Sequence, residues 1–300
     1  MAADFASPTS RAASSVASWR NGDFINVGAN AQKPNLPSGF LPDEPSLRLW
    51  FRAPVGIWGL AQLWFAISVA ITACSPPAPT NEAQILLFAG TGTSPDDVAA
   101  VESVLKDGRF SYATVNSRQL NWMSEAQLKA YQLLIVPGGN FIRIGQGLTS
   151  KTTSNLHNAV QGGLNYLGIC AGGFLAGHGA YKCLDLTSGV RFGFYSAENR
   201  GIRKAAVAVT CAGVPTLEHY WEDGPQFTGW GAVVGKYPDG TPAIVEGMCG
   251  RGWVILSGVH PEAPANWRRG MNFTTSAESD QAYAGKLIDA ALHGASLAHY

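Results

Sequence analysis

Charge is scarce in this chain and neither sign dominates: Asp, Glu, Lys and Arg make up 14% of 300 residues, and the formal net charge is +0. A soluble domain usually carries about a quarter of its residues charged. Without a basic excess there is little to neutralise phosphates, which argues against a nucleic-acid binder. Cysteine is also sparse. The five present (Cys74, Cys170, Cys183, Cys211 and Cys249) include no C-x-x-C spacing, so neither a disulfide scaffold nor structural zinc is expected. His157, His178, His219, His293 and His299 are scattered without metal-ligand spacing, and no metal or cofactor is expected. Glycine, by contrast, is abundant at 35 residues, as suits tight turns and close backbone approaches.

The charge gap is deepest between Arg52 and Glu82, where no charged residue occurs. Before it, residues 1–46 are rich in Ala, Ser, Asn and Pro and read as a disordered or mis-started extension. Residues 53–73 (APVGIWGLAQLWFAISVAITA) then form an apolar run of roughly the 20 residues that span a bilayer as a helix. Arg48 and Arg52 just before it place the N-terminus in the cytoplasm and the rest of the chain outside, facing the periplasm. The run ends in Ile71-Thr72-Ala73-Cys74, which resembles a bacterial lipobox, so 53–74 reads as a signal segment or anchor and Cys74 as the lipidation site. Residues 75–82 (SPPAPTNE) suit a Pro-rich tether. A lipoprotein, an uncleaved signal anchor and a secretion signal stay open at this point, and all three make the following domain extracytoplasmic.

From Asn81 onward apolar strands alternate with amphipathic helices. Strands are expected at about 84–90, 111–116, 132–136 and 165–169. A helix capped by Ser94, with Pro95 at its first position and Asp97 completing an S-x-x-D box, follows the first strand; its apolar face is Val98, Val101, Val104 and Leu105. Further helices are expected from Ser124, over 152–163 and over 280–293, the last carrying Ala284, Leu287, Ile288 and Ala291 on one side. The segment NFIRIGQGL after Asn140 reads as a flexible Gly-bearing loop. Residues 242–247 and 252–259 read as a hairpin, with another reversal at Asp239-Gly240. This alternation implies one α/β domain over 83–292, with a mostly parallel sheet covered on both faces.

Three motifs carry chemistry. Gly168-Ile169-Cys170-Ala171-Gly172-Gly173 closes a buried strand and opens a small-residue helix, the layout of a nucleophile elbow with cysteine in place of serine. A helix starting there supplies free N–H groups and partial positive charge that favour a thiolate, and the Ala171 N–H points where an oxyanion would develop. Gly258-Val259-His260-Pro261-Glu262 ends another buried strand; His260 is a base for the thiol and Glu262 the acid that orients it. Val136-Pro137-Gly138-Gly139-Asn140 lies at the end of a strand on the side where open α/β sheets bind ligands, and Gly139 is the second oxyanion donor. Gly138, Asn140, Arg143 and Tyr220 are pocket candidates. Cys183, Cys211 and Cys249 read as small buried hydrophobes that could pair in an oxidising compartment, with the connectivity open.

In this order and spacing, Pro137-Gly138-Gly139, the cysteine elbow and the His-x-Glu pair resemble the class I glutamine amidotransferase-like superfamily. Within it, GICAGGFLAG and the block from Gly224-Pro225 through AVVGKYPDGTPAIVEGMCGRGWVILSGVHPE resemble the biotin–protein ligase N-terminal-type domain. The resemblance covers about 83–292 and implies a three-layer, mostly parallel flavodoxin-like fold, with Cys170 as nucleophile, His260 as base and Glu262 as its orienting acid. Glutamine-using members carry Gln four residues after the cysteine, where this chain has Phe174. The sequence therefore points to a thiol-dependent hydrolase or amidotransferase-like enzyme acting on an amide or acyl bond of a small-molecule or peptide-like substrate. The alternatives are a non-catalytic binding module that retains the elbow, and a glutaminase-type subunit with a separate partner.

Overall fold

The computed structural model describes residues 83–300. The N-terminal extension, the apolar run, the tether and Cys74 lie outside the described residues. Along the described chain come β1 (Ile85–Phe88), α1 (Pro95–Asp107), β2 (Tyr112–Val115), α2 (Ser117–Trp122), α3 (Glu125–Leu128) and β3 (Leu133–Val136). Then follow α4 (Phe141–Gly147), α5 (Ser150–Gln161), β4 (Asn165–Ile169), α6 (Ala171–Ala176) and β5 (Gly193–Phe194). The remainder is β6 (Lys204–Cys211), β7 (Leu217–Glu222), β8 (Pro225–Gln226), β9 (Ala232–Lys236), β10 (Pro242–Cys249), β11 (Gly252–Ser257) and α7 (Ala277–His293). None of these helices is long and apolar enough to cross a membrane.

Nine strands form one sheet in the order β2-β1-β3-β4-β11-β10-β9-β6-β7. From β2 to β11 every pairing is parallel, and counted along the chain these five strands have the flavodoxin-like order 2-1-3-4-5. From β11 to β7 every pairing is antiparallel, the extension foreshadowed by the hairpin signals.

The parallel strands are uninterrupted apolar runs, ILLF in β1 and LLIV in β3, buried along their whole length, because helices cover both faces. Ile85 and Leu87 point to Val101, Val104 and Leu105 of α1 and to Tyr283, Ala284, Leu287 and Ile288 of α7. Leu86 and Phe88 point the other way, to Leu120 of α2, Leu128 of α3, Leu156 of α5 and Leu175 of α6. The result is three layers, helix–sheet–helix. Cys211 belongs to the first of these cores and Cys249 to the second, so the sheet separates them. Cys170, Cys183, Cys211 and Cys249 are all free thiols, which corrects the allowance for a disulfide.

Two local expectations are also corrected. NFIRIGQGL is not a flexible loop: Asn140 caps α4 by accepting the Arg143 N–H (3.0 Å). The glycine inside this helix serves packing, since a Cβ on Gly145 would come 1.9 Å from the Tyr181 carbonyl oxygen. The S-x-x-D box forms only in half. Ser94 Oγ accepts the Asp97 N–H (3.3 Å), but the Ser94 N–H donates to Gly138 O (3.1 Å), and the Asp97 carboxylate turns elsewhere.

At the C-terminal end of the chain, Glu246 of β10 is 1% exposed and is satisfied by the tail after α7. Its Oε1 accepts from Ser296 Oγ (2.6 Å) and the Leu297 N–H (3.0 Å), and Tyr300 N–H donates to Val233 O (3.0 Å). Hydrogen bonds to a buried charge contribute about 1.5–3 kcal/mol. Glu246→Ala is therefore expected to cost stability on that order in denaturant unfolding. It should also speed amide exchange at Leu297, while exchange in β3 follows global unfolding.

Candidate active site

The sheet order decides what meets what. β4 lies between β3 and β11, all three parallel, so the residues leaving their C-terminal ends are neighbours. These are Pro137–Asn140 from β3, Cys170 from β4 and His260 just beyond β11. Ligands bind at this edge in open α/β sheets.

Cys170 is the elbow. Its backbone sits at φ 50, ψ −104, a conformation that costs a non-glycine residue about 1–3 kcal/mol and is found where surrounding structure enforces it. The enforcement is visible: Cys170 N–H donates to Ser257 O (2.7 Å), and Cys170 O accepts from Gly173 and Phe174. The turn needs small neighbours, since a Cβ on Gly172 would come 2.0 Å from Val136 O. Cys170 is 7% exposed, and its Sγ lies 3.6 Å from Glu222 O. Ala171, the first residue of α6, has its N–H at the helix start, where no intrahelical acceptor exists.

His260 is almost fully buried and fixed at several points. Its backbone N–H donates to Tyr220 O (2.8 Å). Its Nδ1 lies 2.9 Å from Glu262 Oε1, the aligned hydrogen bond, and 3.2 Å from Asp97 Oδ1. Asp97 Oδ1 makes no hydrogen bond apart from this close approach to the ring. With Nδ1 committed to carboxylates, Nε2 is the nitrogen left for the Cys170 thiol, with which the ring also interacts. Burial alone would push the imidazole down. The charges of Cys170 and Glu262 and the contacts of Asp97 and Cys170 outweigh it, and the ring is held well above the ordinary histidine value. For Asp97, burial would raise the carboxyl, but the His260 ring and the Ser94 hydroxyl hold it below its usual range.

Asp97 is the functional candidate that sequence reasoning missed. It lies in the first turn of α1, far from His260 in sequence, and there it looks like a capping residue. What brings it in is a loop-to-loop ladder, with Ser94 N–H on Gly138 O and Asn140 N–H on Gly92 O (2.8 Å). Gly138 is the contact point: a Cβ there would come 2.0 Å from Asp97 Oδ1 and 2.7 Å from His260 Cε1. Those two bonds flank Thr93 and Gly139 as a bridge pair, so the Gly139 N–H points away from the β1 side of the ladder. Asp97, His260 and Glu262 each bring one donor atom within 4.8 Å of the others, a spacing a metal ion could use. The Nδ1 proton shared between two carboxylates accounts for the same short distances.

Of the other pocket candidates, Asn140 spends its side chain capping α4, and Arg143 is exposed on that helix. Tyr220 is 5% exposed and packs its ring edge on His260, centroids 5.8 Å apart, while its hydroxyl donates to Glu222. Burial, then the Glu222 carboxylate, pushes its phenol up, so it remains a donor. Trp267, which carried no sequence signal, packs on both Tyr220 (5.5 Å) and His260 (5.9 Å). Phe174 stacks on Phe141, 4.6 Å between centroids.

Residues 83–202 match the family model described as biotin-protein ligase, N terminal. No curated protein matches the chain. Among solved structures, a glutamine amidotransferase is 22% identical, with 60% of this chain and 91% of that one covered at a TM-score of 0.45. PurLQS from Thermotoga maritima is 16% identical, with 69% and 98% covered at a TM-score of 0.45. The family match runs from β1 through the elbow to residue 202, so this stretch of the chain is similar to the biotin–protein ligase N-terminal family, and it lies in a sheet whose parallel half has flavodoxin-like order.

Proposed function

We propose that this protein is a cysteine-nucleophile enzyme that hydrolyses or transfers at an amide or acyl bond. The observation that carries this reading is the convergence at one sheet edge of Cys170, from the end of β4, with His260 and Glu262, from the segment after β11, the imidazole interacting with both sulfur and carboxylates. The Cys170 sulfur passes its proton to His260 and attacks the carbonyl carbon. The tetrahedral oxyanion is held by the N–H groups of Gly139 and Ala171. His260 gives its Nε2 proton to the leaving amine or alcohol, which leaves a thioester on Cys170. Water then attacks this thioester, His260 takes the proton and hands it to the departing sulfur, and the acid leaves with the thiol restored. Glu262 and Asp97 are positioning residues that act through His260. The substrate is a small molecule or a peptide-like chain, and no step requires a cofactor.

We further propose that the domain is held at a membrane on its extracytoplasmic side, through lipid on Cys74 or through residues 53–73 as an anchor. The support is the uncharged apolar run, the two arginines before it and the lipobox-like end. A second reading, a binding module that retains the elbow without turnover, is favoured by the burial of Cys170 and by Phe174 at the position of the glutamine-users' Gln.

Three outcomes are expected. Cys170→Ala should lower turnover by more than about a thousandfold with the fold unchanged by circular dichroism; equal activity in the variant would leave the binding module. The raised His260 value contributes stability that is fully present below the ordinary histidine value of 6.5 and lost as pH rises through the folded value. Asp97→Asn removes an anion from the ring, so both this loss and the alkaline limb of the pH–rate profile should move to lower pH. An unchanged profile would remove Asp97 from the machinery. Intact-mass analysis of membrane-extracted protein should show a diacylglycerol-modified chain beginning at Cys74; an unmodified chain retaining residues 1–73 would eliminate the lipoprotein form.

A further inference from the structure

Around the helix that follows the nucleophile the chain builds a continuous run of aromatic rings that the chemistry of a cysteine elbow does not require. Phe174 lies four residues after Cys170, in the helix that the elbow opens, its N–H donating to Cys170 O (3.2 Å). Its ring stacks on Phe141 at 4.6 Å and 24° and meets Phe194 at 4.9 Å and 59°. Phe141 in turn meets Tyr181 edge-on at 6.2 Å. Each carrier is anchored within a few residues of a different part of the site. Phe141 follows directly on the Gly138–Asn140 loop, and Phe174 sits on the elbow helix. Phe194 pairs with Pro225, three residues beyond the Glu222 carbonyl that contacts Sγ. The inner ring is buried, at 7% for Phe174, while the outer ones are open to solvent, at 37% for Phe194 and 41% for Tyr181. The run thus grades from the buried ring of Phe174 outward to the surface, and no carboxyl or amine belongs to it.

We propose that these rings are the acyl-side subsite and that the substrate presents an apolar group, an alkyl chain of several carbons or an aryl ring, to Phe174, Phe141 and Phe194. The proposal rests on the cysteine-nucleophile reading and names its substrate class. A carboxamide-bearing amino acid such as glutamine would lose its hydrogen bonds to water against this wall without replacement, whereas an apolar chain gains about fourfold in transition-state binding for each methylene buried.

The test uses the full chain and p-nitrophenyl esters of acetate, butyrate, hexanoate and phenylacetate, with γ-glutamyl p-nitroanilide as the polar competitor and Cys170→Ala as background. Cys170-dependent kcat/KM is expected to rise at least about tenfold from acetate to hexanoate and to be lowest for the γ-glutamyl compound. Phe194→Ala and Phe174→Gln should each pull the hexanoate-to-acetate ratio toward one. Phe194→Ala, at an exposed position, keeps the test valid if Phe174→Gln fails to fold. A flat acyl series with Cys170-dependent acetate hydrolysis, or preferred turnover of the γ-glutamyl compound, would overturn the subsite and leave the nucleophile standing. Absence of any Cys170-dependent hydrolysis would overturn both.

Discussion

The site turns on one proton, held on a buried imidazole between a thiol and two carboxylates. A histidine removed from water resists charging, so an isolated His260 would be neutral. The charge of Cys170, the charge of Glu262 and the contact of Asp97 with the ring reverse that balance. The arrangement needs all its parts close together, and most of the unusual backbone nearby exists to allow it. Gly138 gives up a side chain so that Asp97 and His260 can approach, Gly172 does so for the elbow against β3, and Cys170 accepts a strained φ. Such strain persists only where the surroundings over-determine it, and the bonds from Cys170 N–H to Ser257 O and from His260 N–H to Tyr220 O do so here.

What was legible in the sequence was local. The strand 165–169 and the elbow that ends it are visible because a buried parallel strand is a short apolar run and the turn needs glycines at fixed offsets. The His-x-Glu pair was legible for the same reason, both residues sitting two apart at a strand end. Asp97 was not, because its partner is contributed by a distant strand and its sequence context, after Ser94-Pro95, has a complete explanation as a helix start. Only the ladder between the Gly92–Ser94 and Gly138–Asn140 loops reveals its second use. Helix α4 was misread because glycine weighs against helix in any propensity argument. The Tyr181 carbonyl that makes Gly145 necessary lies on another segment.

Phe174 shows how a departure from a family pattern can carry information about chemistry. The position lies four residues beyond Cys170, and a phenyl ring there supplies apolar area but no donor or acceptor. Its stacking partners Phe141 and Phe194 come from segments that are themselves tied to the site. Phe174 is therefore one member of a consistent apolar cluster of rings.

The antiparallel half of the sheet has a role that the strand order alone conceals. Three strands separate β11 from β7, which in a flat sheet would leave β7 far from His260, since neighbouring strands lie about 4.8 Å apart. Yet Tyr220 of β7 forms a bridge with His260, and the Glu222 carbonyl meets the Cys170 sulfur. The extension must therefore curl until its edge strand returns over the C-terminal end of β11. The register shifts between β9 and β10 around Ile244 supply a physical means, because a bulge bends its strand and increases local twist. Alternation along β7 then divides its work: His219 and Trp221 face the α7-side core, where His219 meets Tyr283, while Tyr220 covers the imidazole. The parallel half positions the reacting groups, and the curled half closes over them. A segment ending near residue 202 would hold the nucleophile but neither the base nor its cover.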